Sequence, residues 1–408
     1  MSLAFPLSRE PRHDERLRSA LACCVDVILR RAPRERLAAV VLSGSFARGE
    51  GTVWDAGPHL RVLGDLEFFV VFEREADARR GARPLAAAAV EAGQRLAADH
   101  VTAGVEFGPV SRRFLARRAR PAIFVFDLRE HGKVVWGDGD VLARLPRFGP
   151  EAIPPEDALA LLFNRLTEQV AAWDRLARAQ PDELVDLVYQ RAKLVLDLAG
   201  SALAFAGRHC PVYAERPRAF ARLVAETPSL QAALPPRFAE ELRWAAQVKR
   251  DPVSALAAPA EGQAEEYRDR LRTQFRAVVP AVRAVLGWEL ARARGERDGA
   301  ASLADLLAWY ATSRPLARRL RDAVKFALTP GPPPVPLAPA RALRLFACAT
   351  PRALLYRAAA LAYLALGDDR TVPDLSRLLP VRPGPWWSDP AAQRRALVAL
   401  WTGAVRTR

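Results

Sequence analysis

Near residue 150 the hydrophobic pattern of the 408-residue chain changes period, and this change limits what the chain can fold into. Before it, short apolar runs alternate with helical patterns. Leu17, Leu21, Cys24 and Ile28 recur at helical spacing until Pro33. Leu37 to Leu42 reads as a buried strand running into Ser43-Gly44-Ser45, and residues 65 to 72 (Asp-Leu-Glu-Phe-Phe-Val-Val-Phe) as a second strand. A helix over 85–98 and a strand near Val105 to Val110 follow. Ile123 to Leu128 and Lys133 to Trp136 then flank Arg-Glu-His-Gly as a predicted hairpin. From about residue 154 the period is helical throughout. Leu159, Leu162, Leu166, Val170, Trp173 and Leu176 form one stripe, and Leu184, Leu187, Leu194, Leu198 and Phe205 form another. Further helices are predicted around 235–249, 264–286, 302–311 and 314–328. Pro330 to Pro336 reads as a rigid extended connector, and Trp386 and Trp387 as a packed terminal cap. The expected organisation is an α/β domain over 1–147, an α-helical bundle over 148–329, and a connector with a helical C-terminal region over 330–408.

Composition narrows the function classes. The chain is half hydrophobic and about a quarter charged, which excludes a mainly disordered or collagen-like protein. The net charge of +15 invites a nucleic-acid reading, but only four of the 61 basic residues are Lys and the Arg are dispersed along the chain. A general nucleic-acid binder is therefore carried as a rival only. Cys23, Cys24, Cys210 and Cys348 show no metal-type spacing and read as free thiols in a reducing compartment. The five His form no cluster in the sequence, and no chemistry is assigned to them. No uncharged apolar run is long enough to span a membrane, and the N-terminal segment lacks the basic n-region of a signal peptide, so a cytoplasmic location is expected. Neither a P-loop nor a G-x-S-x-G nucleophile elbow is present.

One constellation carries chemistry. Asp65 and Glu67 stand two apart in a β-prone run, so their side chains share a face, with Cα atoms roughly 6.5 Å apart. Two carboxylates aimed the same way from an apolar strand repel, and solvent or a hard cation such as Mg²⁺ relieves the repulsion. Upstream, Gly44 and Ser45 follow a strand and leave backbone N–H groups open to phosphate oxygens, with Arg48 as an added cation. A third carboxylate would complete a two-metal site. Glu106 on the next strand is the candidate, with Asp127 as its competitor.

These residues resemble the nucleotidyltransferases of the DNA polymerase β superfamily, in particular the antibiotic-type and minimal members. The likeness lies in Leu42-Ser43-Gly44-Ser45, in Asp65-Leu66-Glu67-Phe68 and in the predicted hairpin around Arg129-Glu130-His131-Gly132. Its order along the chain favours Glu106 over Asp127. The resemblance implies that Asp65, Glu67 and Glu106 bind Mg²⁺ and that Gly44 and Ser45 hold the triphosphate. It covers the first 140 residues well and 155–225 loosely, where Lys193 is the candidate to reach the nucleotide phosphates. Nineteen residues, Phe46 to Gly64, separate Gly-Ser from Asp65. That spacer is longer than is usual in the family, and an enlarged hairpin containing Gly51, Gly57 and Pro58 would absorb the excess.

The expected activity is Mg²⁺-dependent transfer of a nucleoside monophosphate from a nucleoside triphosphate, ATP being favoured, to an acceptor hydroxyl with release of pyrophosphate. A small-molecule acceptor is favoured, with tRNA or a protein as the other options. No membrane partner is expected. The alternative is a catalytically silent nucleotidyltransferase-fold module of regulatory or antitoxin type.

Overall fold

A computed structural model describes residues 5–256, 263–296, 301–328, 335–367, 374–382, 384 and 388–403. Most of the Pro-rich connector and the Trp386-Trp387 pair lie outside these residues. The chain forms two compact units. The first comprises Met1–Asp157, Leu203–Ala219 and Arg243–Ala257; the second comprises Ala158–Ala202, Phe220–Leu242 and Ala258–Arg408. The division therefore interleaves the chain, where the sequence reading expected contiguous blocks.

The first unit is built on a five-stranded mixed sheet of β1 (Leu37–Leu42), β2 (Val53–Ala56), β3 (His59–Phe72), β4 (Val101–Ser111) and β5 (Lys133–Gly137). The long strand β3 is central. It pairs antiparallel with β2 and then with β1 along one edge, and parallel with β4 along the other. β5 pairs antiparallel with the far side of β1. The nineteen-residue spacer is accounted for by β2 and the start of β3. These two strands form a hairpin, with Ala56 opposite His59 across Gly57 and Pro58.

Alternation along β3 decides what each face does. Leu66, Phe68, Val70 and Phe72 point to a core shared with α1 (Asp14–Arg31) and α3 (Glu75–Ala98), where Leu17, Leu21, Ile28, Leu85 and Leu96 are fully or almost fully buried. Each such side chain contributes about 1.5–3 kcal/mol through burial. Phe69 and Val71 point to the other face and meet a smaller core of Val41, Leu115, Val125 and Leu128. Asp65 and Glu67 continue that second face. Between β1 and β2 lies α2 (Gly44–Ala47), a single turn. Helix α3 starts ten residues before the expected Leu85 and carries Pro84 inside it.

One element differs in kind from its prediction. Ile123–His131 is a helix, α4, and only its partner run Lys133–Gly137 is a strand. The β-branched and aromatic residues of Ile-Phe-Val-Phe favour strand locally, but tertiary context overrides that preference. The backbone N–H of Ile123 donates to Asp157 Oδ2 at 2.6 Å, capping the first turn. Val125 and Leu128, three apart, bury on the sheet, while Phe124 is left exposed.

The remaining helices are α5 (Pro155–Leu176), α6 (Pro181–Phe205), α7 (Arg216–Ala225), α8 (Pro228–Ala233), α9 (Phe238–Arg250), α10 (Pro252–Ala255), α11 (Ala264–Ala277), α12 (Val279–Arg294), α13 (Leu303–Thr312), α14 (Leu316–Ala327), α15 (Pro339–Cys348), α16 (Pro351–Leu364) and α17 (Pro390–Trp401). The predicted helix over 264–286 is two helices, broken at Val278 just before Pro280, which takes an early position of α12. Within the second unit Phe163 stacks on Tyr356 at 5.0 Å, and Asn164 Oδ1 accepts from Tyr356 Oη at 2.9 Å and Trp401 Nε1 at 3.0 Å. No helix among the described residues is long and apolar enough to cross a membrane. All four cysteines are free thiols.

Glu289, on α12, is fully buried within this second unit. Ser201 Oγ lies 2.7 Å from Glu289 Oε1 and 2.9 Å from the Ala158 carbonyl oxygen. One hydroxyl proton cannot serve two acceptors. A protonated Glu289 resolves this by donating to Ser201, which then donates to Ala158. Burial pushes the carboxyl up to about 8 from its ordinary 4.5, against a smaller downward pull from the Ser201 hydrogen bond. The folded chain thus holds a proton that the unfolded chain releases near 4.5, so Glu289 makes stability fall as pH rises from about 4.5 to about 8. Glu289→Gln is expected to remove this component. Urea midpoints of variant and parent should differ increasingly in the variant's favour between pH 5 and pH 8. A constant difference would contradict the assignment.

Candidate functional site

The site begins where β1 ends. Ser43 N–H donates to the Glu67 carbonyl at 2.9 Å, tying the end of β1 to β3. The next residue, Gly44, has φ +66°, which favours glycine, and an added Cβ would stand 2.9 Å from Glu67 Oε2. The Glu67 carboxylate therefore lies directly against the Gly44 backbone.

Parallel pairing of β3 with β4 places Glu67 opposite Glu106 and Asp65 opposite Gly104. Strand neighbours in register point to the same face, about 4.8 Å apart. Asp65, Glu67 and Glu106 thus share one face. A Cβ on Gly104 would meet Asp65 Oδ1 at 2.1 Å, so the absence of a side chain there gives the Asp65 carboxylate its position. Asp65 and Glu67 are half-buried and Glu106 is exposed.

Asp65 and Glu67 offer hard oxygen donors from one strand, the chemistry that suits Mg²⁺. Among the described residues no three His, Cys, Asp or Glu side chains converge closely enough to hold a metal ion. The fit is that of a carboxylate pair. Mg²⁺ commonly uses one or two carboxylates and completes its shell with water and phosphate oxygens.

Arg48 is not an open phosphate contact in this arrangement. Its side chain is 6 % exposed and pairs with Glu50 Oε2 at 3.4 Å and Asp127 Oδ2 at 3.3 Å. Burial pulls its pKa down, but Tyr213, Asp127, Glu50 and Glu67 outweigh that and raise it. Arg48 is thereby held as a cation beside Glu67. Its role is to join the acidic strand face to a buried polar network that the sequence reading did not identify.

That network joins Asp127, the competitor for the third carboxylate, to His209, to which the sequence assigned no chemistry. Asp127 Oδ1 lies 2.7 Å from His209 Nε2, and the His209 side chain is 1 % exposed. His209 Nδ1 has no hydrogen-bond partner. The geometry therefore places the proton on Nε2, donating to Asp127. Burial pulls the Asp127 carboxyl up, yet the His209 hydrogen bond and the charges of Arg48 and Arg216 hold it below the ordinary range. Glu50 accepts from the backbone N–H groups of Tyr213 and Ala214 at 3.2 and 3.4 Å. The Tyr213 ring meets Arg216 at 4.3 Å, Lys249 at 4.9 Å and Arg48 at 5.1 Å. Breaking a buried ion pair of this kind costs about 3–5 kcal/mol.

Asp127 belongs to this network from α4, whereas Glu106 lies on β4 in register with Glu67. Gly44, Ser45, Arg48, Asp65, Glu67 and Glu106 all fall in the first unit, whereas Lys193 belongs to the second, where its Nζ lies 5.9 Å from the Tyr189 ring centre. The scarcity of Lys that singled out Lys193 applies equally to Lys249, which the structure places in the network of the first unit. An open cleft beside Arg48 and Gly49 is bordered by Arg9, Glu10, Arg250 and Asp251.

Comparison of the chain with protein-family models, curated proteins and solved structures gives no match.

The Gly44 geometry yields a direct test. Gly44→Ala places a methyl group at positive φ and against the Glu67 carboxylate. It is expected to lower stability by about 1–2 kcal/mol from backbone strain alone. The unfolding midpoint in urea reads this, and a neutral or stabilising result would contradict the close approach of Glu67.

Proposed function

We propose that the chain is a Mg²⁺-dependent nucleotidyltransferase that moves a nucleoside monophosphate from a nucleoside triphosphate, ATP being favoured, to an acceptor hydroxyl. The single observation that supports this reading is the shared face of Asp65, Glu67 and Glu106 beside the Gly44 turn. Carboxylates sharing one face of neighbouring strands repel, and a hard cation held between Asp65 and Glu67 would lower that repulsion.

Asp65 and Glu67 would hold magnesium, which when bound neutralises charge on the phosphates. The other roles fall to the chain itself. The Gly44-Ser45 turn gives the triphosphate a close approach to the backbone. Arg48, fixed as a cation between Glu50 and Asp127, adds a positive field behind Glu67 and need not leave its partners to do so. Glu106, exposed on the adjacent strand, would take the proton of the acceptor hydroxyl. The acceptor oxygen then bonds to the α-phosphorus as that phosphorus loses its bond to the bridging oxygen, and pyrophosphate leaves. A small-molecule acceptor is favoured over tRNA or a protein.

Two observations favour a second reading, a catalytically silent module of the same fold. Arg48 is already committed to two carboxylates, and no three ligating side chains converge among the described residues. Pyrophosphate release from ATP with Mg²⁺ and a panel of hydroxyl acceptors separates the two. Asp65→Asn is expected to lower the rate about 100-fold or more, by analogy with the loss of a group that stabilises transition-state charge, with an unchanged circular dichroism spectrum. No turnover by the parent protein across the panel would favour the silent module.

A further inference from the structure

The second unit contains a cleft of about 680 Å³. This volume falls within the range of small-molecule sites. Its floor is one face of α12, where Pro280, Ala284, Gly287 and Ala291 recur every three or four residues. Gly287 leaves the floor open, since a Cβ there would have no atom within 4 Å. Leu303 and Leu306 on α13 extend the apolar lining.

Charge in the cleft is one-sided. Among the described residues Arg276, Arg283 and Arg292 line it against a single carboxylate, Glu296. Glu296 is itself paired at 3.1 Å with Arg294, which is not part of the lining. Arg283 and Arg292 are exposed, and neither has a carboxylate partner among the described residues. Arg292 stands 4.9 Å from the Trp288 ring, offering a flat surface beside a cation. Arg292 lies nine positions after Arg283 on the helix, about 13 Å along the axis. The floor is thus apolar with a guanidinium towards each end.

From this arrangement we infer that the cleft binds an elongated organic anion. An aryl or acyl body lies along Ala284, Gly287 and Ala291, with a carboxylate, sulfonate or phosphate group held by the guanidinium at one end. Apolar burial supplies affinity, and charge-assisted hydrogen bonds to guanidinium select the anion. The inference is independent of nucleotidyl transfer, because it uses only residues of the second unit.

The test uses the full chain and the fluorescent anion 8-anilinonaphthalene-1-sulfonate, with the uncharged N-phenyl-1-naphthylamine as control. Saturable binding of the sulfonate at one site is expected, weakening as salt rises. Gly287→Leu fills the floor and is expected to weaken binding about tenfold or more. The same substitution replaces a helix-interior glycine, so the melting temperature should hold or rise, which separates loss of the site from loss of the fold. Arg283→Gln/Arg292→Gln is expected to weaken the sulfonate about tenfold while leaving the neutral control unchanged. Unaltered sulfonate binding by Gly287→Leu would overturn the site. Equal loss of both probes in the arginine variant would overturn its selectivity for anions.

Discussion

The parallel pairing of β3 with β4 is the constraint on which the acidic site depends. In that register Glu67 stands opposite Glu106, and Asp65 stands opposite a glycine that yields room to its carboxylate. A slip of one residue on either strand would turn the carboxylates of that strand into the apolar core. The register is held from the other face, where Leu66, Phe68, Val70 and Phe72 are buried against α1 and α3. The hydrophobic core thus sets the geometry of the charges without touching them. The repulsion among the carboxylates is a cost that this packing offsets.

The rest of the first unit supports one end of that face. Ser43 ties the end of β1 to the Glu67 backbone, and Arg48 reaches Glu50 and Asp127 on elements far apart in sequence. His209, Tyr213 and Lys249 come from segments distant along the chain. A buried cation with two carboxylate partners, one of them bonded to a buried imidazole, is rigid because each member is costly to leave unmatched. Preorganised charge of this kind stabilises developing charge nearby more effectively than solvent does.

Much of this was legible in the sequence where the pattern is local. The alternation of Asp65-Leu66-Glu67-Phe68 gave the strand and its polar face, and Ser43-Gly44-Ser45 gave the turn. The long spacer to Asp65 read as a hairpin, and β2 and β3 form one. The Ile123–His131 helix was not legible, since Ile-Phe-Val-Phe favours strand by itself and becomes helical through Asp157 and the sheet beneath it. The Arg48–Asp127–His209 network was hidden for a related reason. Its members are 79 and 82 residues apart, and nothing in local spacing joins them. Arg48-Gly49-Glu50 next to the turn was the available signal, because a charged pair flanked by small residues marks a place where the chain doubles back. Interleaving of the two units was likewise invisible, because helical periodicity reports which face is buried and not which core receives it.

The central claim is that the strand face of Asp65, Glu67 and Glu106 takes a nucleotide together with magnesium. Calorimetric titration of ATP into the intact protein, with Mg²⁺ and again with EDTA, tests it most directly, repeated with Asp65→Asn/Glu67→Gln. Binding is expected to require Mg²⁺ and to disappear in the double variant while the fold is retained. Equal affinity in EDTA, or in the double variant, would contradict it.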